Sequence, residues 1–436
     1  MKKLILLFCI VLITGCSKNL NVHLPGADLP SGGINKTLPV INKNQTDISA
    51  TMESALSKEL EAKLTPVSQL TLYQNKDTWL PLMSLINNAH DFLYLNFLSF
   101  TCDERTEEMV KALEKKAGEK VDVRLIVNKG FSLLSGKCLK RLQKSGVKIA
   151  KVKTHSSYII NDKQELMIGS QSIARMFFNA DGFNSLDRDM MIYAKGVVVS
   201  EAVRDFVSTW LEQNPDEKEL QNVFLKTKNW KDEGGKARCV FVSQRPWLGM
   251  RDYEKAILAA VKSNEREVLF SGVKVNPRDS EIADVLKTKS LNGMNVDYIG
   301  NGYLSGDGEL AMVFDEWINK LEQSSFSFVA PAVMGIKLWD NRRVALENKK
   351  QYDRLKGKSA INIWTYFNFI HHKVWLFDSP AFLIGSANFD DEKFSEVSDA
   401  GLFCFDSSVH IQLKAELFRD KQNSVRYVVK KGGVKK

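Results

Sequence analysis

The chain has 436 residues, more than one ordinary domain accounts for, and its 44% hydrophobic and 10% aromatic content supplies ample material for sizeable packed cores. Its net charge of +9 favours anionic partners but does not choose between phospholipid headgroups and nucleic acid. No stretch after the first twenty residues reaches about 18 uninterrupted apolar positions, which argues against a spanning helix in the processed protein.

Lys2 and Lys3 form a basic start, and Leu4 to Ile13 form an apolar run too short to cross a bilayer. Ile13-Thr14-Gly15-Cys16 follows and resembles a bacterial lipobox. That resemblance implies cleavage of residues 1–15 and acylation of Cys16, with lipid chains holding the protein at the surface of a membrane in the bacterial envelope. The alternative is a plain secretory signal with an incidental cysteine. Cys102, Cys138, Cys239 and Cys404 remain after processing. Cys102–Cys138 with Cys239–Cys404 is the simplest pairing in an oxidising compartment; buried free thiols are the alternative.

Residues 16–65 read as a tether, rich in Asn, Pro, Gly and Lys, that ends in a short amphipathic helix. Met52, Leu56, Leu60 and Leu64 recur every four residues before Pro66. Strand and helix patterns then alternate. Strands are expected at Phe92–Leu98, Val121–Val127 and Val147–Val152, with a helix at about Glu104–Lys116. The order returns after about residue 236: a helix at Asp252–Lys262, a strand at Glu267–Gly272, a helix at Ser280–Leu291 and a strand at Asn295–Ile299. This alternation predicts two α/β lobes, 66–235 and 236–436.

A sharper repeat lies within them. The first copy holds His155, Ser157, Asp162, Gly169, Ser170 and Ser172; the second holds His371, Lys373, Asp378, Gly385, Ser386 and Asn388. His371 lies 216 positions after His155, and the same offset separates Asp378 from Asp162, Gly385 from Gly169 and Asn388 from Ser172. The second copy, HHKVWLFDSPAFLIGSANFD, resembles the HxKxxxxD…GSxN signature of the phospholipase D superfamily. The first copy and its downstream LDRDMMIYAK resemble the first half of two-lobed bacterial cardiolipin synthases. The resemblance implies two fused α/β lobes related by a pseudo-twofold axis, each with a mixed central sheet flanked by helices. It also implies a site that passes a phosphodiester through a phosphohistidine, with water or a second alcohol resolving it.

The residue types suit that chemistry. An imidazole titrates near neutrality, with an unperturbed pKa of about 6.5, so two facing histidines can share the roles of nucleophile and proton donor. Lys373 would clamp a non-bridging phosphate oxygen, with Ser386 and Asn388 donating further hydrogen bonds and Ser157, Ser170 and Ser172 standing at the matching places. Gly169 and Gly385 mark close backbone approach. Asp399 is the candidate carboxylate for the second-lobe histidine, and Asp189 is its counterpart, with Asp187 as the near alternative. Both aspartates acting only as strand-end caps is the other reading. Asp162 and Asp378 are expected to tie down their own turns.

The first motif departs from the family pattern. Ser157 stands where the family has lysine and Ser172 where it has asparagine; Lys153, Lys163 and Arg188 are the cations nearest in sequence to compensate. His372 should turn to the opposite face of its strand from His371. His23, His90 and His410 fall in no ligand spacing, so neither metal nor cofactor is expected. The insertion between Gly302 and Phe369 is aromatic, and most of Trp317, Phe326, Phe328, Trp339, Trp364, Tyr366 and Phe367 should be core. The leading reading is a membrane-anchored phospholipase D or phosphatidyltransferase acting on glycerophospholipids. The alternatives are a secreted nuclease of the same chemistry and a pseudoenzyme, the latter because of Ser157. The sequence leaves the oligomeric state open.

Overall fold

The computed structural model describes residues 44–133, 135–178, 188–276, 280–302, 318, 321, 327–390 and 397–428. The expected signal, Cys16, the expected tether as far as residue 43, Asp187, Trp317, Phe326 and residues 429–436 lie outside the described residues.

Two mixed sheets form the frame. The first has strands β2 (Gln69–Gln74), β3 (Phe92–Phe97), β4 (Asp122–Asn128), β5 (Lys148–Val152), β6 (Tyr158–Asn161), β7 (Glu165–Gly169) and β8 (Met190–Lys195), in the order β2-β8-β7-β6-β3-β4-β5. The second repeats that order with β9 (Ala237–Arg245), β18 (Asp399–Phe405), β16 (Ala381–Gly385), β15 (Lys373–Leu376), β11 (Glu267–Ser271), β13 (Asn295–Asn301) and β14 (Asn362–Tyr366). In each half three parallel strands meet an antiparallel meander: β3 with β6 in one, β11 with β15 in the other.

Most boundaries match the sequence pattern, and the exceptions have local causes. The helix expected from Glu104 begins at Glu107, because the Asp103 carboxylate accepts from the backbone N–H of Arg105 and Thr106 and holds them in a turn. The helix expected from the four-residue period is Asn44–Leu60, and its Met52 and Leu56 are buried in the core of the second half, against helix Asp252–Ser263. Strand β1 (Thr65–Val67) pairs with β9. The chain therefore belongs to the second sheet before it enters the first at Ser68–Gln69, which moves the expected boundary at residue 66.

The core has three parts. Helices Trp79–Asn88, Glu107–Gly118 and Gly136–Lys144 cover the outer face of the first sheet. Helices Asp252–Ser263 and Glu281–Leu291 cover that of the second. Between the sheets, helices Val199–Leu211 and Ser407–Gln422 share one continuous apolar cluster with the inner faces of both. That shared centre fixes one half against the other.

Both expected cystine pairs are bonded, Cys102–Cys138 and Cys239–Cys404. Cys239 and Cys404 face each other across β9 and β18, so their link joins neighbouring strands over a separation of 165 residues. Replacing Cys404 with alanine should cost about 2–5 kcal/mol of stability. Denaturant unfolding under non-reducing conditions checks this; an unchanged midpoint would show that the strand pairing suffices alone.

Candidate active site

The site forms where the two halves exchange backbone hydrogen bonds. The amide of His155 donates to the carbonyl of Ser398 at 2.7 Å, and the amide of Ser398 donates to that of Lys153 at 3.0 Å. At the related place the amide of Arg188 donates to Phe369 at 2.8 Å, and that of His371 donates to Arg188 at 2.7 Å. These are two short parallel bridges, one on each side of the pseudo-twofold axis.

Each bridge carries an aspartate just past its crossing point, and this decides the pairing. His155 Nδ1 lies 2.7 Å from Asp399 Oδ1, and His371 Nδ1 lies 2.8 Å from Asp189 Oδ2. The sequence reading gave each histidine the aspartate of its own half. The structure exchanges them, because the bridging register sets each carboxylate beside the other half's imidazole. All four side chains are buried.

Each carboxylate is itself held. The hydroxyl of Ser386 donates to Asp399 Oδ1 at 2.8 Å, and Gln244 Nε2 donates to its other oxygen at 3.2 Å. Ser170 donates to Asp189, and the Asn75 side chain accepts from the Asp189 amide at 2.7 Å. Ser170 and Ser386 were expected to donate to substrate; the one proton of each hydroxyl goes to its aspartate instead. Sequence reasoning missed Asn75 and Gln244. Carrying the repeat one strand outward, to β2 and β9, would have aligned them, since Gln244 pairs with Asp399 and Gln74 with Met190.

Lys373 is buried with its Nζ 3.2 Å from His371 Nε2. Burial alone pushes the Asp189 carboxyl upward, but His371, Lys373 and Ser170 outweigh it and hold its pKa below the usual 3.8. Two further polar atoms at matching positions, Ser172 Oγ and Asn388 Oδ1, are buried without a hydrogen-bond partner. An unsatisfied buried polar atom typically costs about 1–3 kcal/mol, so such a pair marks a place for a polar ligand. Phe177 and Phe369 flank the His371 ring at centroid distances of 5.2 and 5.7 Å.

Ser157 is buried in the first motif. Two of the three cations weighed as substitutes for a lysine there are engaged elsewhere: Arg188 pairs with Asp420 at 2.7 Å and Glu416 at 2.6 Å, and Lys163 pairs with Asp162 at 3.0 Å. Lys153 is exposed. His372 turns away from His371, with Nδ1 2.8 Å from Ser271 Oγ and Nε2 3.0 Å from Asp420 Oδ2. The buried Asp420 and His372 and the partly buried Arg188 thus form one network behind the Asp189–His371 pair.

Asp162 and Asp378 act on neighbouring loops rather than their own turns. Asp162 accepts from the amides of His90 and Asp91, which lead into β3; Asp378 accepts from those of Glu265, Arg266 and Glu267, which lead into β11. A Cβ on Gly169 would run into the Met190 carbonyl, and one on Gly385 into that of Ala400. The close approach required there is that of the adjacent strand. Among the described residues no His, Cys, Asp and Glu cluster could hold a metal ion.

A duplicated α/β frame with paired His and Asp side chains at its seam is the architecture of the phospholipase D class. Residues 82–210 and 257–421 match the family described as "Cardiolipin synthase, PLD-like domain", and the chain belongs to that family. It is 21% identical over 351 residues to a cardiolipin synthase of Clostridium perfringens, covering 77% of this chain and 66% of that protein. It is 23% identical over 360 residues to cardiolipin synthase 1 of Staphylococcus epidermidis, covering 78% and 64%. The chain thus spans about two thirds or less of those relatives. Among solved structures it is similar to phosphatidylserine synthase of Haemophilus influenzae, with a TM-score of 0.59, 12% identity and coverage of 86% of this chain and 92% of that one.

Arg188→Met should destabilise the fold by about 3–5 kcal/mol, because it strips the buried Asp420 carboxylate of its guanidinium. Thermal unfolding checks it, and a change within error would show that His372 alone neutralises Asp420. The depressed pKa of Asp189 adds a pH signature: its stabilisation is complete above the unfolded value and is lost as pH falls through the folded one. Asp189→Asn should therefore lower stability at neutral pH and flatten the acid limb of the profile; a parallel downward shift at all pH values would refute the assignment.

Proposed function

We propose that this protein is a phosphatidyltransferase or phospholipase D that works on glycerophospholipids from the membrane surface. The observation that carries this reading is the crossed pair of imidazole–carboxylate contacts at one seam. With each Nδ1 donating to a carboxylate, the chemistry falls to the two Nε2 atoms. One Nε2 attacks phosphorus, the bond from phosphorus to the departing alcohol oxygen breaks, and the other imidazolium gives that oxygen its proton. The now neutral second imidazole takes the proton of an incoming alcohol or water, whose oxygen attacks phosphorus and releases the first imidazole.

Lys373 offsets charge on the non-bridging oxygens, and the Ser172 hydroxyl supplies a hydrogen bond that the resting site leaves unmade; the unpartnered Asn388 Oδ1 accepts, and so suits a hydroxyl of the substrate or of the incoming alcohol. Similarity to cardiolipin synthases supports a glycerophospholipid substrate and an alcohol as the acceptor. Acylation of Cys16 would tether the body to the bilayer that holds its substrate. Among the described residues no helix is long and apolar enough to cross that bilayer.

One observation favours a second reading: the first motif has Ser157 in place of a cation, as a site reduced to binding would. Turnover separates the two. With headgroup-labelled phospholipid, His155→Ala and His371→Ala should each abolish product, and Lys373→Ala should slow turnover by about 10²–10³-fold. Activity that arises only in Ser157→Lys would establish the binding reading, and cleavage of DNA but not lipid would make the protein a nuclease.

A further inference from the structure

The link from β13 to β14 in the second half contains helix Ala330–Lys356, 27 residues long, where the first half has nine between β4 and β5. Its later part packs on the body: Val344, Asn348, Tyr352 and Leu355 are buried at helical spacing, and the Tyr352 hydroxyl donates to the carbonyl of Asn301 at 2.7 Å. Asn301 ends β13. Since β13 and β14 are parallel, the helix between them runs backward, and its first residues stand beyond the carboxyl ends of the strands. At 1.5 Å per residue, Trp339 lies about 20 Å further along the axis than Tyr352.

That projecting end is apolar. Phe328 is 75% exposed, Met334 40%, Ile336 40%, Leu338 62% and Trp339 65%. Taking Met334 as zero and about 100° per residue, Ile336, Leu338 and Trp339 fall at roughly 200°, 40° and 140°. A helix made for a protein groove shows one apolar stripe of about 100°; this one shows apolar side chains over an arc of roughly 200°, with Lys337 at roughly 300° on the remaining side, which suits an interface with apolar and polar layers. Exposed Arg342 follows it directly, a phosphate-compatible side chain next to acyl-compatible ones; further along, exposed Lys350 and Arg354 stand with exposed Leu346 and Glu347.

The arm stands beside the site. Asn301 exchanges hydrogen bonds with the backbone of Ile370, the residue before His371. The helix also packs on β12 (Val275–Asn276), which pairs with β17 (Phe389–Asp390), directly after Asn388. Phe367, 44% exposed, lies two residues ahead of Phe369, which is beside the His371 ring, and its own ring meets that of Tyr366 at a tilt, with centroids 4.8 Å apart.

We propose that the start of this helix inserts into the outer layer of an anionic phospholipid bilayer and holds the mouth of the site against it. The proposal rests on the reading of the substrate as a membrane phospholipid. The test uses the whole chain in a Cys9→Ser, Cys16→Ser background with both disulfides intact. A polarity-sensitive fluorophore is placed at Leu338→Cys, or at Leu225→Cys in the other half as the control. On vesicles of phosphatidylglycerol with acyl-chain quenchers, the label at 338 should shift to the blue and be quenched at least about fivefold more than at 225, with a weaker response on phosphatidylcholine. Equal quenching at the two sites would overturn the proposal. So would a blue shift that needs no lipid and grows with protein concentration, which would assign the surface to a second copy of the chain.

A second arm reads turnover. Ile336→Asp with Leu338→Asp, both on the exposed end, should lower turnover of vesicle phospholipid at least tenfold and leave that of monomeric dihexanoyl phospholipid unchanged. Equal losses on both substrates would sink the docking role. Quenching at 338 in a protein that turns over neither lipid would uphold the docking and refute the substrate assignment.

Discussion

Two buried contacts between imidazole and carboxylate, each spanning the seam between the halves, set the constraint that the rest of the molecule satisfies. A carboxylate removed from water is costly unless it is paired and hydrogen-bonded, so Asp189 and Asp399 each require their histidine and a second tier of donors. Ser170, Ser386, Gln244 and Asn75 provide or brace that tier. The backbone bridges at Ser398 and Arg188 hold the partners in register, and the apolar cluster shared by the two sheets keeps the bridges from opening. Orientation is therefore fixed by the core before any ligand arrives, which is what a preorganised electrostatic site needs.

The frame is symmetric and its chemistry is not. The second motif has Lys373 against its histidine, while the first has Ser157. Behind His371 runs the Arg188–Asp420–His372 network; at the corresponding positions the other side has Ser398 and Ser156, which join through a single serine-to-carbonyl contact. The cation in contact with an imidazole, Lys373, and the Arg188–Asp420–His372 contacts all lie on the His371 side. The two histidines therefore work in different electrostatic surroundings although their carboxylate partners are alike.

Much of the frame was legible because its strands carry long apolar runs between turn residues and because the repeat keeps a constant offset. The four His and Asp side chains were legible for the same reason. Their exchange was not, since a repeat says which residues correspond but not which half each one serves. Asn75 and Gln244 escaped because they sit at the ends of the strands that open each half, far in sequence from any motif. Ser170 and Ser386 were misread because a hydroxyl in a motif looks the same whether it faces a ligand or a neighbouring carboxylate. The aromatic insertion was expected to be mostly core; Tyr366 is buried, but Phe328, Trp339 and Phe367 are exposed. The stripe that docks its helix includes Asn348, and a polar residue there hides the period.

The exchange of carboxylates also has a consequence for symmetry. A chain of one unit with this arrangement would hold a histidine and an aspartate that never meet in the same protomer, so it would need a second copy about a true dyad to complete either pair. In such an assembly every substitution appears twice. A fused chain is free of that restriction, and its two flanks can carry different side chains, as Ser157 and Lys373 do.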